Sequence, residues 1–189
     1  MAAPKDEVKS SWVADPLTLS PLPSTNINAW LTKPKILSQA LRHFCQQLTL
    51  KLIAQEFGLA FEDEYAILNL QPEALPLVRR IFLLGDDIPW TYGRVVVPAV
   101  TYEHHLAQFA SLGANFLGEK LLYNNPDVQR SRFEYIALDE SHPLFEQVNK
   151  DLATPLSAPL YGRRSVFTIK EDPLLVTEVF LPHLPEYTL

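Results

Sequence analysis

Two charged residues stand where a core strand would be apolar, and both are of types that could grip an anionic ligand. Glu178 lies in residues 174–181, LLVTEVFL, where only Thr177 and Glu178 are polar. Such a run predicts a strand covered on both faces. A carboxylate in those surroundings requires a cation or hydrogen-bond donors. Arg94 follows Gly93 and opens the Val-Val-Val run of TYGRVVVPA. A glycine there lets a backbone or ligand come close, and the planar guanidinium is suited to holding a carboxylate through two hydrogen bonds. Around a cavity, Arg94 and Glu178 would suit a small anion carrying both a carboxylate and a hydroxyl. For each residue the competing reading is an ion pair within the fold, or for Glu178 an exposed sheet edge. A purely structural buried ion pair, however, is seldom net stabilising.

Other candidates point to less. His104-His105 are neighbours on an expected helix, where adjacent side chains diverge by about 100°, and no further ligand spacing completes a metal site. Cys45 could act as a nucleophile, but on a short amphipathic helix it reads as a small packed residue. Arg163-Arg164 open a strand, so alternation sends one inward and the other outward. There is no GxGxxG, no P-loop and no GxSxG, so nucleotide binding and a hydrolase elbow have no local support.

The elements that must position these residues follow from periodicity. Residues 36–47 place Ile36, Leu37, Ala40, Leu41 and Phe44 at helical spacing. Residues 48–57 alternate as a strand, 77–84 form a second, and 90–100 a third after the turn Gly85-Asp86-Asp87. Residues 102–112 read as a helix closed by Gly113, 130–138 as a strand and 142–152 as a helix. Strands at 162–170 and 174–181 are joined by Glu171-Asp172-Pro173. Short turns between consecutive strands favour antiparallel pairing, so the expected fold class is α+β, a single mainly antiparallel sheet with helices packed on one side.

Composition bounds the classes. The 189 residues suit one domain, with residues 1–25, rich in Ser and Pro, as an N-terminal arm and residues 26–189 as the folded unit. Hydrophobic residues at 47% and charged residues at 20% are ordinary for a globular chain. A net charge of −6 argues against a nucleic-acid partner. No apolar run reaches the ~20 residues that span a bilayer, and the N-terminus lacks the apolar stretch of a signal peptide. A single cysteine fits a reducing cytoplasm. The expected state is a monomer with neither nucleic-acid nor membrane partner.

Four segments, in order, resemble the chorismate pyruvate-lyase family: PWTYGRVVVP (89–98), LGANFLGEKLL (112–122), YGRRS (161–165) and LLVTEVFLP (174–182). The resemblance covers roughly residues 80–182, with a weaker match through Trp30 and residues 36–41. It implies an antiparallel sheet enclosing a ligand beneath helical flaps. It assigns Arg94 to the ring carboxylate, Glu178 to the ring hydroxyl, and the leucine of an LG pair to a main-chain contact, best matched by Leu117 before Gly118, although Leu112-Gly113 begins the same segment. Leu37 is the nearest equivalent of a residue touching the ligand from the early helix. Here the chain departs from the family, carrying Ile36-Leu37-Ser38 where Ser-Leu-Thr is usual. The segment HPLFEQV forms an additional helix, expected outside the pocket.

The implied activity is elimination of pyruvate from chorismate to give 4-hydroxybenzoate, the first committed step of ubiquinone synthesis. Aromatisation drives it, so no metal and no redox or organic cofactor is expected. The enzyme would hold the reactive conformer, exclude water and stabilise the leaving enolpyruvate. Glu178 would position the hydroxyl or also move a proton, and Arg163 or Arg164, whichever alternation turns inward, would face the second carboxylate. The rival reading is a non-catalytic domain of the same fold that binds an aromatic acid, as in the sensing domains of some transcription regulators. No basic helix-turn-helix precedes the sheet to support a regulator.

Overall fold

The computed structural model describes residues 12–152 and 154–189. Its elements run, in chain order, α1 (Thr25–Thr32), α2 (Leu37–Leu41), β1 (Leu48–Phe57), α3 (Glu62–Ile67), β2 (Leu77–Gly85), β3 (Ile88–Val97), α4 (Ala99–His104), α5 (Leu106–Ala110), β4 (Val128–Arg130), β5 (Glu134–Leu138), α6 (Pro143–Leu152), β6 (Leu160–Ile169) and β7 (Asp172–Phe180). The seven strands make one sheet in the order β1-β2-β3-β7-β6-β4, with β5 also paired to β6, and every pairing is antiparallel. The expected antiparallel sheet with helices against it is what the chain forms. The larger helical layer covers one face through Trp30, Leu37 and Leu41 at one end and Phe109, Leu112, Leu117 and Leu121 at the other. Helix α6 packs Leu144, Phe145 and Val148 on the opposite face, and Leu68, just after α3, joins Val96 and Leu175 there.

Local chemistry explains the hairpins. Asp86 and Asp87 both take positive φ, 48° and 67°, the conformation that two-residue hairpin turns require. The Asp86 carboxylate also accepts from the Gln46 and Gln47 N–H groups at 3.2 and 2.8 Å, tying the start of β1 to the turn. Gly85 is obligatory here, because a Cβ would fall 2.2 Å from the Trp90 ring.

Several elements differ from the sequence expectation. The expected helix 36–47 is α2 followed by a tight 3₁₀ turn, Arg42–Phe44. The expected helix 102–112 breaks at His105 (φ −119°, ψ 28°) into α4 and α5, with Gly113 at φ +49° beyond it. The strand expected over 130–138 is two strands interrupted at 131–133, and Asp172 and Pro173 begin β7 instead of forming the turn. Helices α1 and α3 were not expected. The N-terminal arm falls partly on residues 1–11, outside the described residues. From Trp12 onward it lies against the sheet, Val13 pairing with Tyr135. Ser24 caps α1 by accepting from the Ile27 N–H at 3.2 Å.

Candidate active site

Strand register decides which side chains meet. Ile81, Gly93, Glu178 and Arg163 are mutual neighbours across β2, β3, β7 and β6, and therefore share one face of the sheet. The adjacent row on that face holds Gln55, Arg79, Val95, Val176 and Ser165. Over these rows lies a cavity of about 70 Å³ with a largely apolar wall. Its floor includes Leu83, Ile81, Gly93 and Val95. The helical layer closes it with Leu37, Ser38, Phe116 and Leu117, and Tyr123 and Glu178 supply polar atoms. Without a side chain at Gly93 the floor stays open, since a Cβ there would meet Ile81 Cγ1 at 2.9 Å.

Glu178 is held from one side. Arg163 Nε donates to Glu178 Oε2 at 2.6 Å, and the guanidinium is almost wholly buried. Its Nη1 donates to the carbonyls of Leu31 and Pro34 at 3.1 and 2.7 Å, while the Phe133 ring lies 4.3 Å from Cζ. One side chain thus orients the carboxylate and pins the segment leading into α2, which carries Leu37 and Ser38. Of the neighbouring arginines, Arg163 is the one on the cavity face. Arg164 lies opposite, donating to Asp63 and Glu134 at 2.6 and 2.8 Å.

Leu37, Leu117 and Glu178 come together at the cavity, and Arg94 does not join them. Gly93 faces the cavity, so its neighbour on the strand must face away. The Arg94 side chain is buried on the opposite face, with Nε and Nη2 on the two Glu64 oxygens at 2.7 and 2.9 Å. The Phe61 ring lies 4.1 Å from its Cζ. This is the ion pair that the sequence left open as the competing reading. Its partner is an acid on α3, not Glu178.

Arg79, unlike Arg94, lies on the cavity face of the sheet. It is 2% exposed, in register with Val95 and two residues from Ile81. By the spacings of a sheet its Cα lies about 12 Å from that of Glu178; Val95, its partner across β3, lines the cavity, and Arg79 itself stands on the same face outside the lining residues. Its hydrogen bonds go to neutral acceptors, Gln55 Oε1 at 2.6 Å and the carbonyls of Gly113 and Asn115 at 2.8 and 3.0 Å. The other buried arginines, Arg94, Arg163 and Arg164, each have a carboxylate, whereas among the described residues Arg79 has none. Burial lowers its guanidinium to about 10. A buried cation without a counter-ion is an electrostatic deficit that an anionic ligand would offset. The signal was present in LVRRIFLL, where an arginine interrupts an apolar strand as Arg94 and Glu178 do.

Tyr123 is a further polar group at the cavity. Burial, reinforced by the charge of Glu178, pushes its phenol well above the usual range. The residue also explains Gly118, where a Cβ would fall 2.2 Å from the Tyr123 ring. Cys45 packs partly buried in the cluster around Trp30, and burial pushes its thiol up, contrary to an activated nucleophile. The expectation that His104 and His105 diverge is not met. The break at His105 brings both rings to Asp172, at 2.9 and 3.0 Å. Among the described residues no group of three or more His, Cys, Asp or Glu side chains is disposed to hold a metal ion, and no helix is long and apolar enough to cross a membrane.

The chain thus forms an antiparallel sheet with a mostly apolar cavity under a helical layer, Glu178 in the cavity lining and the buried Arg79 on the same face of the sheet. Residues 10–188 match the family described as Chorismate lyase. The chain belongs to that family. It is 32% identical over 178 residues to a probable chorismate pyruvate-lyase of Nitrosospira multiformis, covering 94% of this chain and 96% of that one. A probable chorismate pyruvate-lyase of Coxiella burnetii is 31% identical over 184 residues, covering 96% and 91%. Among solved structures, the PhnF C-terminal domain aligns with a TM-score of 0.60 at 12% identity, over 81% of this chain and 91% of that domain. PhnF of Mycobacterium smegmatis aligns at 0.54 and 15% identity, over 83% of this chain and 68% of that one. The latter two similarities concern the fold alone.

Proposed function

We propose that the chain is a cofactor-independent chorismate pyruvate-lyase whose aromatic product, 4-hydroxybenzoate, supplies ubiquinone synthesis. The observation that carries this reading at the level of the site is Arg79, a buried guanidinium without a carboxylate, on the same face of the sheet as Glu178. In this reading Arg79 holds the ring carboxylate, the role that the resemblance gave to Arg94. Glu178, fixed by Arg163, accepts a hydrogen bond from the ring hydroxyl. The apolar walls formed by Leu37, Leu117 and Val95 enclose the ring and exclude water.

The chemistry asks little of the protein beyond this. The ring carbon bearing the hydroxyl loses its hydrogen as a proton, while the neighbouring carbon loses the enolpyruvyl oxygen together with the C–O electron pair. The ring becomes aromatic, and the released enolate takes up one proton at its methylene carbon to become pyruvate, which balances the proton lost from the ring. Holding one conformer between two polar ends, in a site shielded from water, supplies orientation and keeps the charges at fixed places.

Purified protein incubated with chorismate in the presence of a chelator tests the reading. Pyruvate and 4-hydroxybenzoate are expected in equal amounts above the protein-free rate. The second reading is an aromatic-acid binding domain of the same fold without chemistry. In that case neither product forms, while 4-hydroxybenzoate still raises the melting temperature.

A further inference from the structure

Tyr123, Val176 and Glu178 border the main cavity on one side and a narrow crevice on the other. The far wall of the crevice is built by Lys35, Arg130, Phe133 and Phe167. Lys35, Tyr123, Arg130 and Phe167 also line a wider surface groove, which makes the three spaces successive. Charge along this path is asymmetric. The groove is bordered by two cations and no carboxylate, and the crevice has one carboxylate, Glu178, which is already paired with Arg163. Among the described residues neither Lys35 nor Arg130 has a carboxylate partner. Arg130 is placed by other means, its Nη1 donating to the Lys35 carbonyl and its Cζ 4.6 Å from the Phe133 ring centre. Its Nε and Nη2 remain for a ligand.

We propose that Arg130 and Lys35 form the subsite for the second carboxylate of the substrate, that of the enolpyruvyl group, and that the groove is the route by which pyruvate leaves. The proposal rests on chorismate being the substrate, with its ring carboxylate at Arg79 and its hydroxyl at Glu178. The ether oxygen sits on the carbon next to the hydroxyl-bearing one, so the enolpyruvyl group projects at the Glu178 end of the cavity. Arg163 gives its Nε to Glu178 and its Nη1 to backbone carbonyls; its buried Nη2 has no partner among the described residues, but the side chain lines neither the cavity nor the crevice. The next cations outward are Arg130 and Lys35. When the C–O bond breaks, its electron pair goes to the enolpyruvate oxygen. The negative charge that develops is then close to two cations already engaged with the adjoining carboxylate, and the ring stays behind Tyr123.

The test separates the two ligands by what they carry, since 4-hydroxybenzoate lacks the second carboxylate. Wild type, Arg130→Gln, Lys35→Gln, the double variant and Arg130→Lys are compared for chorismate kinetics and for 4-hydroxybenzoate affinity by calorimetry. Arg130→Gln is expected to raise the chorismate KM about tenfold or more. Lys35→Gln should raise it less and the double variant most, while the 4-hydroxybenzoate Kd stays within about twofold. Arg130→Lys should recover most of the loss. A KM that does not move overturns the proposal, as does equal weakening of both ligands, which would mark Arg130 as a packing residue. A wild-type protein that makes no product from chorismate removes the substrate reading and this subsite with it, and is recognised before any variant is measured.

Discussion

Arg163 Nε lies 2.6 Å from Glu178 Oε2, and the same guanidinium reaches the Pro34 carbonyl at 2.7 Å. One buried side chain therefore couples the carboxylate at the cavity end to the segment that carries Leu37 into the wall. The orientation of Glu178 and the placement of the segment leading into α2 are set by a common residue. Glu178→Gln keeps the size of the side chain and an acceptor for Arg163 while removing the charge. It is expected to lower kcat about 100-fold or more while changing the melting temperature little. Steady-state kinetics beside a thermal melt check this; unchanged kcat would leave Glu178 a structural partner of Arg163.

Arg94 serves stability in this account. Arg94 and Glu64 are each 4% exposed and doubly hydrogen-bonded. Arg94→Ala leaves the Glu64 carboxylate buried without its cation, at a cost of about 3 kcal/mol or more. Replacing both, Arg94→Met with Glu64→Leu, should restore most of that loss, because a well-packed apolar pair is not inferior to a buried ion pair. Chemical denaturation of the three variants measures it. Loss of chorismate affinity in the double variant at full stability would return Arg94 to the site.

The pH dependence of stability should carry a histidine component. Burial lowers the His142 ring below its usual value, and its Nδ1 accepts from the Leu144 N–H at 3.1 Å at the start of α6. The folded state thus favours the neutral ring, while the unfolded chain takes a proton near the ordinary value of 6.5. Stability from this group is present above that value and is lost as the pH falls below it, down to the lower pKa of the folded state. His142→Asn keeps a cap for α6 without the titration. The wild type should lose stability relative to this variant between about pH 7 and pH 5, as read by urea unfolding at each pH; parallel curves would show that His142 is not responsible.

Much of the site was legible because charges inside apolar strands are rare for a physical reason. Glu178 stood out in LLVTEVFL on that ground, and the strand and hairpin pattern around it matches the sheet closely. The facing of Arg94 was not taken from the same pattern. A glycine that opens the cavity floor and an arginine beside it cannot share a face, and alternation along β3 already implies this. Arg79 and Arg80 interrupt a strand whose same-face neighbours are apolar on both sides, so only knowledge of the helical layer distinguishes the cavity side. Helix α3 has six residues, three of them acids in its first turn, too few apolar positions to show a period. Yet it supplies Asp63 and Glu64, which pair with Arg164 and Arg94 on the opposite face. The break at His105 was likewise hidden, because the residues on either side keep helical spacing.

The central claim is that Arg79, and not Arg94, holds the carboxylate of the aromatic ligand. Calorimetric titration of wild type and Arg79→Ala with 4-hydroxybenzoate and with 4-hydroxybenzamide tests it directly. The account predicts that wild type prefers the acid to the neutral amide by about 100-fold, and that Arg79→Ala loses this preference while remaining folded. If Arg79→Ala binds the acid as wild type does, and still prefers it to the amide, the carboxylate is held elsewhere and the assignment of the site is wrong.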